Sequence, residues 1–366
     1  MKITEVTIYK YAIPMVPFTI ATGTMHFAQN IFIRIHTNEG IVGVGECSAF
    51  PMIVGETQAT CFEMAKEFAA LWIGKNPLDI AARMQELHLF TARNYTAKSA
   101  FDLALYDIAA KHAQQPLFAY LGGSKKEIES DLTIGIDTPE NMAKHALAFK
   151  EKGVTKIKVK LGKEPTIDIE RIHQIRLAIG NDIELRIDAN QGWSFEDAQI
   201  ALKGLAEYDI AFCEQPMRTH NDELLPELCA ISPIPIMADE SVYTHYDAER
   251  IIRNNAAKYI NIKFAKSGGI FEALQIVSVA KQHNMFCMMG GMLESRVALT
   301  AKVHFAMAND IIRFYDLDTC LLGHLVDPVK GGVQYEGMKL LLNDEHGIGA
   351  DVDDAFLATL DKITIA

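Results

Sequence analysis

The sequence predicts a β/α barrel with an additional α+β region, and two features of its second half carry this prediction. From about residue 131, eight short β-rich runs recur, and seven segments of helical periodicity separate them. From the second run onward, the residues that end these runs follow one another at intervals of 24 to 28 residues. A β-α unit repeated at this interval builds a parallel sheet, and eight strands can close into a barrel. A chain of 366 residues has room for the barrel and the addition.

An open doubly wound sheet is the alternative arrangement of the same elements. Nucleotide-binding sheets of that kind carry a glycine-rich motif after a strand. Neither G-x-G-x-x-G nor G-x-x-x-x-G-K-[ST] follows a predicted strand here, so the closed barrel is preferred.

The region before the barrel, residues 1–125, is expected to form an α+β domain. Residues 2–13 and 30–47 alternate between apolar and polar side chains, as antiparallel strands do. Residues 57–74 and 99–113 have the periodicity of helices.

The barrel is expected to span residues 126–320. Its eight strands are predicted at residues 132–136, 156–160, 184–188, 211–215, 235–239, 259–263, 285–289 and 312–316. After residue 320 the pattern changes to turn-rich sequence, so residues 321–366 are expected to return to the N-terminal domain.

Composition and charge exclude several classes of protein. The chain is 49% hydrophobic and 22% charged, which is typical of a globular protein with a sizeable core. A net charge of −12 and the absence of a basic block argue against nucleic-acid binding. Six scattered cysteines without a CxxC motif favour a reduced, cytoplasmic location, and no apolar run is long enough to span a membrane. A homo-oligomer is expected.

Three lysines alternate with apolar residues in the second predicted strand, K-I-K-V-K. Because side chains alternate between the two faces of a strand, Lys156, Lys158 and Lys160 share one face. The run is either an edge strand with solvated lysines or a buried strand that directs amines into a site.

Carboxylates end three consecutive predicted strands, at Asp188, Glu214 and Asp239. The active site of a β/α barrel is built at the C-terminal ends of its strands, and neighbouring strands lie about 4.8 Å apart, so the three can converge. One such residue alone could simply cap the next helix. Three buried together would repel one another, and an oxygen-only set suits a hard cation, Mg²⁺ above all.

Lysines flank these carboxylates on both sides. Strand two ends in Lys158 and Lys160, and strand six ends in Lys263, with Lys266 just beyond it. A bound dication and the repulsion between Lys158 and Lys160 would both lower the pKa of an amine, which could then act as a base at pH 7. The metal would stabilise the enediolate left when an α-proton departs. The alternation along strand six favours Lys263 as much as Lys266.

Five motifs occur in order at the spacing of barrel strands: K-V-K at 158–160, D-A-N at 188–190, C-E-Q-P at 213–216, A-D-E-S at 238–241 and N-I-K-F-A-K-S-G-G at 261–269. In these motifs, and over nearly its whole length, the sequence resembles the enolase superfamily, in its muconate-lactonising subgroup. The resemblance implies a (β/α)7β modified TIM barrel with an α+β capping domain formed by the N-terminal region and the C-terminal tail. It also implies one Mg²⁺ per active site, with Asp188, Glu214 and Asp239 as ligands.

The resemblance further implies that Lys160 and Lys266 are acid/base catalysts on opposite faces of the substrate α-carbon, and that Lys158 tunes the pKa of Lys160. Two bases on opposite faces suit a 1,1-proton transfer, which removes the α-proton from one side and returns a proton from the other. The subgroup also contains cycloisomerases, o-succinylbenzoate synthases and N-succinylamino acid racemases, so the fold does not decide the reaction.

The segment Y-D-L-D-T, residues 315–319, separates these reactions. Asp316 and Asp318 point the same way from the end of strand eight, and two carboxylates there create a site for a cation such as a free α-ammonium group. The pair resembles one found in the dipeptide epimerases of the subgroup, where it holds the N-terminus of the dipeptide. An anionic muconate or succinylbenzoate would be repelled. The other interpretation is a helix cap beside a solvated aspartate.

Residues 15–27 are predicted to form a mobile lid that carries Phe18 and Ile20 but no Lys or Arg. At the end of strand seven, apolar Met289 is predicted to contact the substrate, although methionines there could equally fill the core. An acidic substrate side chain needs a cation, and the nearby candidate, Arg296, is expected to lie inside the following helix.

The sequence thus predicts a Mg²⁺-dependent epimerase that inverts the C-terminal residue of an Ala-Xaa dipeptide with a small or apolar Xaa. An L-Ala-D/L-Glu epimerase, another reaction of the subgroup and a degenerate barrel that only binds a ligand are the alternatives.

Overall fold

A computed structural model describes residues 1–366, and its N-terminal part is an antiparallel sheet covered by helices. The strands are β1 (Ile3–Ile20), β2 (Gly23–Thr37) and β3 (Val42–Ser48). The helices are α1 (Pro51–Val54), α2 (Gln58–Trp72), α3 (Ile80–Phe90), α4 (Tyr95–His112) and α5 (Leu117–Tyr120). Tyr9, Tyr11 and Ile13 of β1 are buried and alternate with less buried residues, so the predicted alternation marks the face that packs on the core.

Eight parallel strands then form the barrel. They are β4 (Leu132–Ile134), β5 (Lys156–Lys160), β6 (Glu184–Asp188), β7 (Ile210–Glu214), β8 (Ile236–Ala238), β9 (Tyr259–Ile262), β10 (Cys287–Gly290) and β11 (Ile312–Asp316). Each strand is hydrogen-bonded to the strands next to it in sequence. At the seam between β4 and β11 the backbone N–H of Asp131 donates to the carbonyl of Tyr315 at 3.1 Å, which brings the sheet close to full closure. The predicted barrel is confirmed.

Seven helical crossovers connect the strands, as the sequence pattern predicts. They are α6 (Pro139–Glu151), α7 (Pro165–Ile179), α8 (Phe195–Gly204), α9 (Leu225–Ile231), α10 (His245–Arg253), α11 (Phe264–Ser267) with α12 (Ile270–Gln282), and α13 (Arg296–Ala308). None of the helices combines the length and the apolar character that crossing a bilayer requires.

The C-terminal segment leaves the barrel and returns to the first sheet. It contains β12 (Val329–Gly331), β13 (Gln334–Glu336), β14 (Lys339–Leu341), β15 (Ala350–Val352), α14 (Asp354–Leu357) and β16 (Lys362–Ile365). Strand β16 pairs antiparallel with β1, so both ends of the chain contribute to the capping domain.

Residues 15–27, which the sequence predicts to form a lid, form a hairpin over the barrel. Strands β1 and β2 continue through this segment, with a register shift between Pro14 and Phe18. The tip is hydrogen-bonded to the barrel: the N–H of Ile136 donates to Thr19 O at 2.9 Å, and Lys163 Nζ donates to Ala21 O at 2.7 Å. These bonds satisfy the carbonyls of the hairpin and hold it over the carboxyl ends of the strands.

Buried carboxylates of the cap bind the N-termini of two barrel helices. Asp102 accepts hydrogen bonds from the N–H groups of Ile270 and Phe271 at the start of α12. Glu46 accepts from the N–H of Ser295 at 2.8 Å and of Ala298 at 3.0 Å at the start of α13. Because the first N–H groups of a helix have no partner within the helix, these contacts stabilise the docking of cap on barrel.

Because His304 is buried in its neutral form, we expect the folded protein to lose stability in acid. Its Nδ1 accepts from the N–H of Phe118 at 3.0 Å, and its Nε2 lies 3.0 Å from the carbonyl of Ile348, which fixes the neutral ring. Burial lowers the pKa of His304 to about 4. Below about pH 6.5 His304 is protonated in the unfolded chain but stays neutral in the folded protein. The free energy of unfolding therefore falls as the pH falls from 6.5 towards 4.

The expected loss that His304 contributes between pH 6.5 and pH 4.5 is about 2 kcal/mol in the free energy of unfolding. Urea unfolding at both pH values measures it. His304→Gln can keep both hydrogen bonds but does not titrate, so its stability should fall by about that much less over the same interval. Equal losses in the two proteins would contradict the prediction.

Candidate active site

The strand register brings the predicted site residues together at the carboxyl ends of the barrel strands. Lys160 is in register with Asp188, and Asp188 is in register with Glu214, so the three form a row across β5, β6 and β7. Asp239 directly follows β8. Lys263 follows β9 with an extended backbone (φ −131°, ψ 126°), so the alternation of the strand continues through it.

The three carboxylates are fully buried, and ammonium groups lie between them. Lys158 Nζ lies 3.0 Å from Asp188 Oδ2 and 2.6 Å from Glu214 Oε2. Lys160 Nζ donates to Asp188 Oδ2 at 2.7 Å. Burying such a carboxylate without a cation would be costly, so the lysines and the carboxylates depend on each other.

Two lysines also reach Asp239, the carboxylate of the next strand. Lys263 Nζ donates to Asp239 Oδ2 at 2.7 Å, and Lys266 Nζ lies 2.7 Å from Asp239 Oδ1. Asn261 is two residues before Lys263, and its Nδ2 donates to Glu214 Oε1 at 2.7 Å. Asn261 and Lys263 therefore face the same side of β9, towards the carboxylates.

The surrounding charges separate the pKa values of the three acids. Burial raises the pKa of Asp188, but Lys158 and Lys160 outweigh burial and hold that pKa at about 2. Burial, together with Asp188, raises the pKa of Glu214 to about 7. Burial also opposes ionisation of Asp239, but two ammonium groups beside it lower its pKa below the ordinary value.

The donor set fits the hard divalent cation that the sequence predicts. Asp188, Glu214 and Asp239 offer only oxygen, and they lie at the ends of three adjacent strands. Glu214 Oε2 and Asp239 Oδ1 accept no regular hydrogen bond but lie 2.6 Å from Lys158 Nζ and 2.7 Å from Lys266 Nζ, so a bound cation would take the place of these ion pairs. Carboxylate oxygens without nitrogen or sulfur are the ligands that Mg²⁺ prefers.

The ammonium form of Lys158 is more stable than its repulsion from Lys160 alone predicts. Burial disfavours its ammonium form, but Asp188, Asp316 and Glu214 outweigh burial and raise the pKa of Lys158 well above its ordinary value. The three carboxylates around Lys158 outweigh its repulsion from Lys160, and they come from strands that are distant in the sequence. The influence of Lys158 on the pKa of Lys160 stays a prediction.

Lys266, which the sequence predicts as a catalyst, does not line the cavity at the strand ends. Its Nζ is held by the carbonyl of Asp239, by that of Val242 at 2.9 Å and by that of Asn261 at 3.1 Å. Since helix α11 begins at residue 264, the chain turns away from the strand direction and carries Lys266 behind the strand ends. Lys263 lines the cavity instead.

A cavity lies between the strand ends and the cap. Its lining combines apolar side chains with a few charged ones, namely Phe18, Ile20, Phe50, Ile53, Thr133, Lys160, Asn190, Lys263, Gly291, Met292, Leu293, Asp316, Asp318, Thr319 and Leu322. Phe18 and Ile20, both named from the sequence, enter it from the hairpin. This mixture is typical of a small-molecule site.

Met289 is absent from this lining, so its predicted substrate contact is corrected. It is fully buried in the main hydrophobic core. Its neighbour Met288 packs with Phe212 and Met237 in a separate small cluster. Side chains alternate along β10, and Met289 points to the helix-facing side. Met292, beyond the strand, lines the cavity in its place.

Asp316, the last residue of β11, and Asp318 both line the cavity. Lys158 Nζ donates to Asp316 Oδ2 at 2.8 Å, and the N–H of Thr133 donates to Asp318 Oδ2 at 2.7 Å. Burial, together with Asp316, raises the pKa of Asp318 to about 7. When two carboxylates lie this close, ionisation of one disfavours ionisation of the other. A bound cation offsets this repulsion, so the pair favours a cation.

Several lining residues were not predicted from the sequence, among them Phe50, Ile53, Thr133 and Asn190. Phe50 and Ile53 come from α1 and the residue before it, and no periodic pattern marks so short a helix. Thr133 lies in β4, which was predicted as a strand without a functional residue. Asn190 belongs to the D-A-N motif, and its positive φ of 41° in a non-glycine residue is a structural sign of a constrained site.

Arg296 points away from the cavity. It is the first residue of α13, as the sequence places it in a helix, and its Nε donates to Asp327 Oδ2 at 2.6 Å. Its Nη atoms donate to the carbonyls of Val329, Gly331 and Val333. The lysines at positions 160 and 263 are the cations among the lining residues.

Known proteins share this fold and much of this sequence. The family model described as Mandelate racemase / muconate lactonizing enzyme, N-terminal domain, matches residues 3–122, and the model described as Enolase C-terminal domain-like matches residues 141–356. The D-Ala-D/L-Ala epimerase of Cytophaga hutchinsonii is 43% identical over 368 residues, with 100% of each chain covered. The hydrophobic dipeptide epimerase of Enterococcus faecalis is 39% identical, with 91% of this chain and 94% of that protein covered.

A solved structure is similar over the same length. The crystal structure of dipeptide epimerase from Cytophaga hutchinsonii, complexed with Mg and the dipeptide D-Ala-L-Val, matches with a TM-score of 0.98 at 42% identity. The match covers 100% of both chains. These relatives are isomerases, and this chain belongs to their family, the mandelate racemase/muconate lactonizing enzymes of the enolase superfamily.

Proposed function

We propose that this protein is an epimerase of Ala-Xaa dipeptides that inverts the α-carbon of the C-terminal residue, with a small or apolar Xaa. One observation carries the proposal: a single cavity is lined by two lysines from different strands and, at one end, by two aspartates. The similarity to relatives named as dipeptide epimerases supports the substrate class.

The two lysines are the acid/base pair. Lys160 ends β5, and Lys263 directly follows β9, so strands β6 to β8 lie between them. In the neutral form, one amine removes the α-proton of the substrate. The other, as an ammonium group, donates a proton to the opposite face, and the configuration is inverted.

Asp188, Glu214 and Asp239 would hold Mg²⁺ in this enzyme. The ion, when bound, supplies positive charge close to the substrate carboxylate and so makes the neighbouring α-proton more acidic. The buried carboxylates fix the position of that charge relative to Lys160 and Lys263.

Asp316 and Asp318 bind the free ammonium group of the dipeptide. The aspartate pair offers a place to a cation, and an ammonium group bound there would leave the C-terminal residue of the dipeptide to the lysines. A charge-assisted hydrogen bond between ammonium and carboxylate is stronger than a neutral one and orients the ligand.

The remaining lining favours an apolar Xaa side chain. Phe18, Ile20, Phe50, Ile53 and Met292 surround the cavity on the cap side and beyond β10. A glutamate side chain would find no arginine there, because the guanidinium group of the nearby candidate is bonded to the C-terminal segment.

Deuterium exchange in D₂O tests the proposed function. With Mg²⁺, the enzyme is expected to exchange the α-proton of the C-terminal residue in Ala-Ala and Ala-Val and to form both epimers, as mass spectrometry and chiral chromatography detect. Ala-Glu should react at least about tenfold more slowly, since its charge would be buried unpaired. The N-acetyl derivative of Ala-Val should also be poor, because it lacks the ammonium group.

Other outcomes identify the alternatives. Efficient turnover of an N-succinylamino acid would make the protein a racemase of that class, and a faster reaction with Ala-Glu would make it an alanyl-glutamate epimerase. Binding of dipeptides without exchange would indicate a barrel that only binds its ligand.

A further inference from the structure

Asp131 is a buried carboxylate at the seam of the barrel to which the proposed reaction gives no role. It precedes β4, and its side chain is fully buried. Its Oδ2 accepts a hydrogen bond from Arg186 Nη1 at 2.9 Å. Its Oδ1 accepts no hydrogen bond, although a buried carboxylate oxygen ordinarily has a partner.

Asp131 lies directly behind the two aspartates of the cavity. One carboxylate oxygen from each of Asp131, Asp316 and Asp318 lies within 4.8 Å of the other two. Asp316 and Asp318 line the cavity, whereas Asp131 does not. The three therefore form an acidic cluster with one open side, towards the substrate.

The cations of the protein do not balance this cluster. Arg186 is paired with Asp131, but it is shared with Glu184, whose Oε1 accepts from its Nε at 2.7 Å. Lys158 is paired with Asp316, but it is shared with Asp188 and Glu214.

Asp318 has no cationic side chain within ion-pair distance and accepts only from the backbone of Thr133. Burial, together with repulsion from Asp316, raises the pKa values of Asp131 and Asp318 above the ordinary value. Carboxylates in a cluster that lacks one cation behave in this way.

We propose that Asp131 is a positioning residue that makes the Asp316–Asp318 end of the cavity selective for a ligand with one positive charge. This inference rests on the proposed function, because the dipeptide ammonium group is the cation that completes the cluster. Asp131 does not touch the substrate. Its carboxylate, paired with Arg186, ionises behind the two aspartates when an ammonium group binds, and this charge strengthens the binding of an ammonium group relative to a neutral group of the same size.

A purely structural role for Asp131, as a partner of Arg186, makes a different prediction. Loss of the ion pair would then lower stability and affect charged and neutral substrates alike. Two measurements separate the roles: the selectivity between substrates that differ only in the ammonium group, and the division of the effect between KM and kcat.

The test compares Asp131→Asn with wild type on Ala-Val and on propionyl-valine, in which hydrogen replaces the ammonium group. We expect the ratio of kcat/KM for the two substrates to fall about tenfold in the variant, as loss of one nearby charge predicts. The change should come from a higher KM for Ala-Val, with kcat nearly unchanged.

Glu184→Gln is the matched control, because it removes a carboxylate from the same arginine on the more exposed side. It should leave the ratio as in wild type. A wild-type ratio in Asp131→Asn, or an equal fall in Glu184→Gln, would overturn the inference.

If Asp131→Asn does not fold, a second variant tests the same inference. The double variant Asp131→Asn/Arg186→Gln removes both members of the ion pair, so that no unpaired buried charge remains. Because Asp131 lies closer to the cluster than Arg186 does, a smaller fall in the ratio is expected, and an unchanged ratio would overturn the inference. If wild type itself showed no preference for Ala-Val over propionyl-valine, the proposed function would fail, and not only the role of Asp131.

Discussion

Lys263→Ala is expected to lower the rate of epimerisation by about a hundredfold to ten-thousandfold, the usual range for removal of a general acid or base. A proton must leave one face of the α-carbon and arrive on the other, so one lysine alone cannot complete the inversion. Lys160 can still exchange the proton on its own face. In D₂O the variant should therefore incorporate deuterium into only one of the two epimers of Ala-Val, as mass spectrometry of the separated epimers measures.

Lys160→Ala should show the mirror-image result and incorporate deuterium into the other epimer. Lys266→Met is the matched control, because this lysine lies three residues further on but is held by backbone carbonyls behind the strand ends. It should lower the melting temperature, since three carbonyls and Asp239 Oδ1 lose their partner, yet at saturating Mg²⁺ its folded fraction should exchange both epimers. Exchange of both epimers by Lys263→Ala, with a single epimer in Lys266→Met, would restore the assignment made from the sequence.

Removal of divalent cations is expected to abolish turnover, and Mg²⁺ should restore it. The motivating observation is the set of three fully buried carboxylates at the ends of β6, β7 and β8. Glu214→Gln removes one negative charge but little volume, so it should weaken Mg²⁺ binding at least about tenfold while the fold remains intact. Calorimetric titration with Mg²⁺ measures the affinity directly, and circular dichroism checks the fold.

Glu227→Gln serves as the control for this variant, because Glu227 lies in α9 on the outside of the barrel and reaches none of the site residues. Its Mg²⁺ affinity should equal that of wild type. Full activity of rigorously metal-free enzyme would show that the carboxylates serve the lysines and hold no ion.

The sequence by itself determined the barrel and the row of carboxylates. Strand and helix periods alternate at a constant interval, and every strand of a parallel barrel ends at the same edge. A residue that ends a predicted strand therefore has a predictable place, and Asp188, Glu214 and Asp239 lie where this rule puts them. The direction of the aspartate pair after β11 follows from the same alternation of side chains.

Only the tertiary structure decided which lysine after β9 faces the cavity. The alternation of a strand predicts a side chain's direction only while the backbone stays extended. It holds for Lys263 and ends at residue 264, where α11 turns the chain and takes Lys266 away. Met289 fails for a related reason, because a strand-end residue on the helix-facing side packs into the core however close to the site it lies in sequence.

The tertiary structure also decided the electrostatics of the site. A charge pair within one strand is visible in the sequence, and Lys158 beside Lys160 suggested a lowered pKa. The carboxylates that reverse this effect on Lys158 come from three other strands, 30 to 158 residues away in the chain. Asp131 joins Asp316 and Asp318 only because β4 meets β11 when the barrel closes. Coulomb interactions depend on distance in space, and only the closed barrel defines those distances.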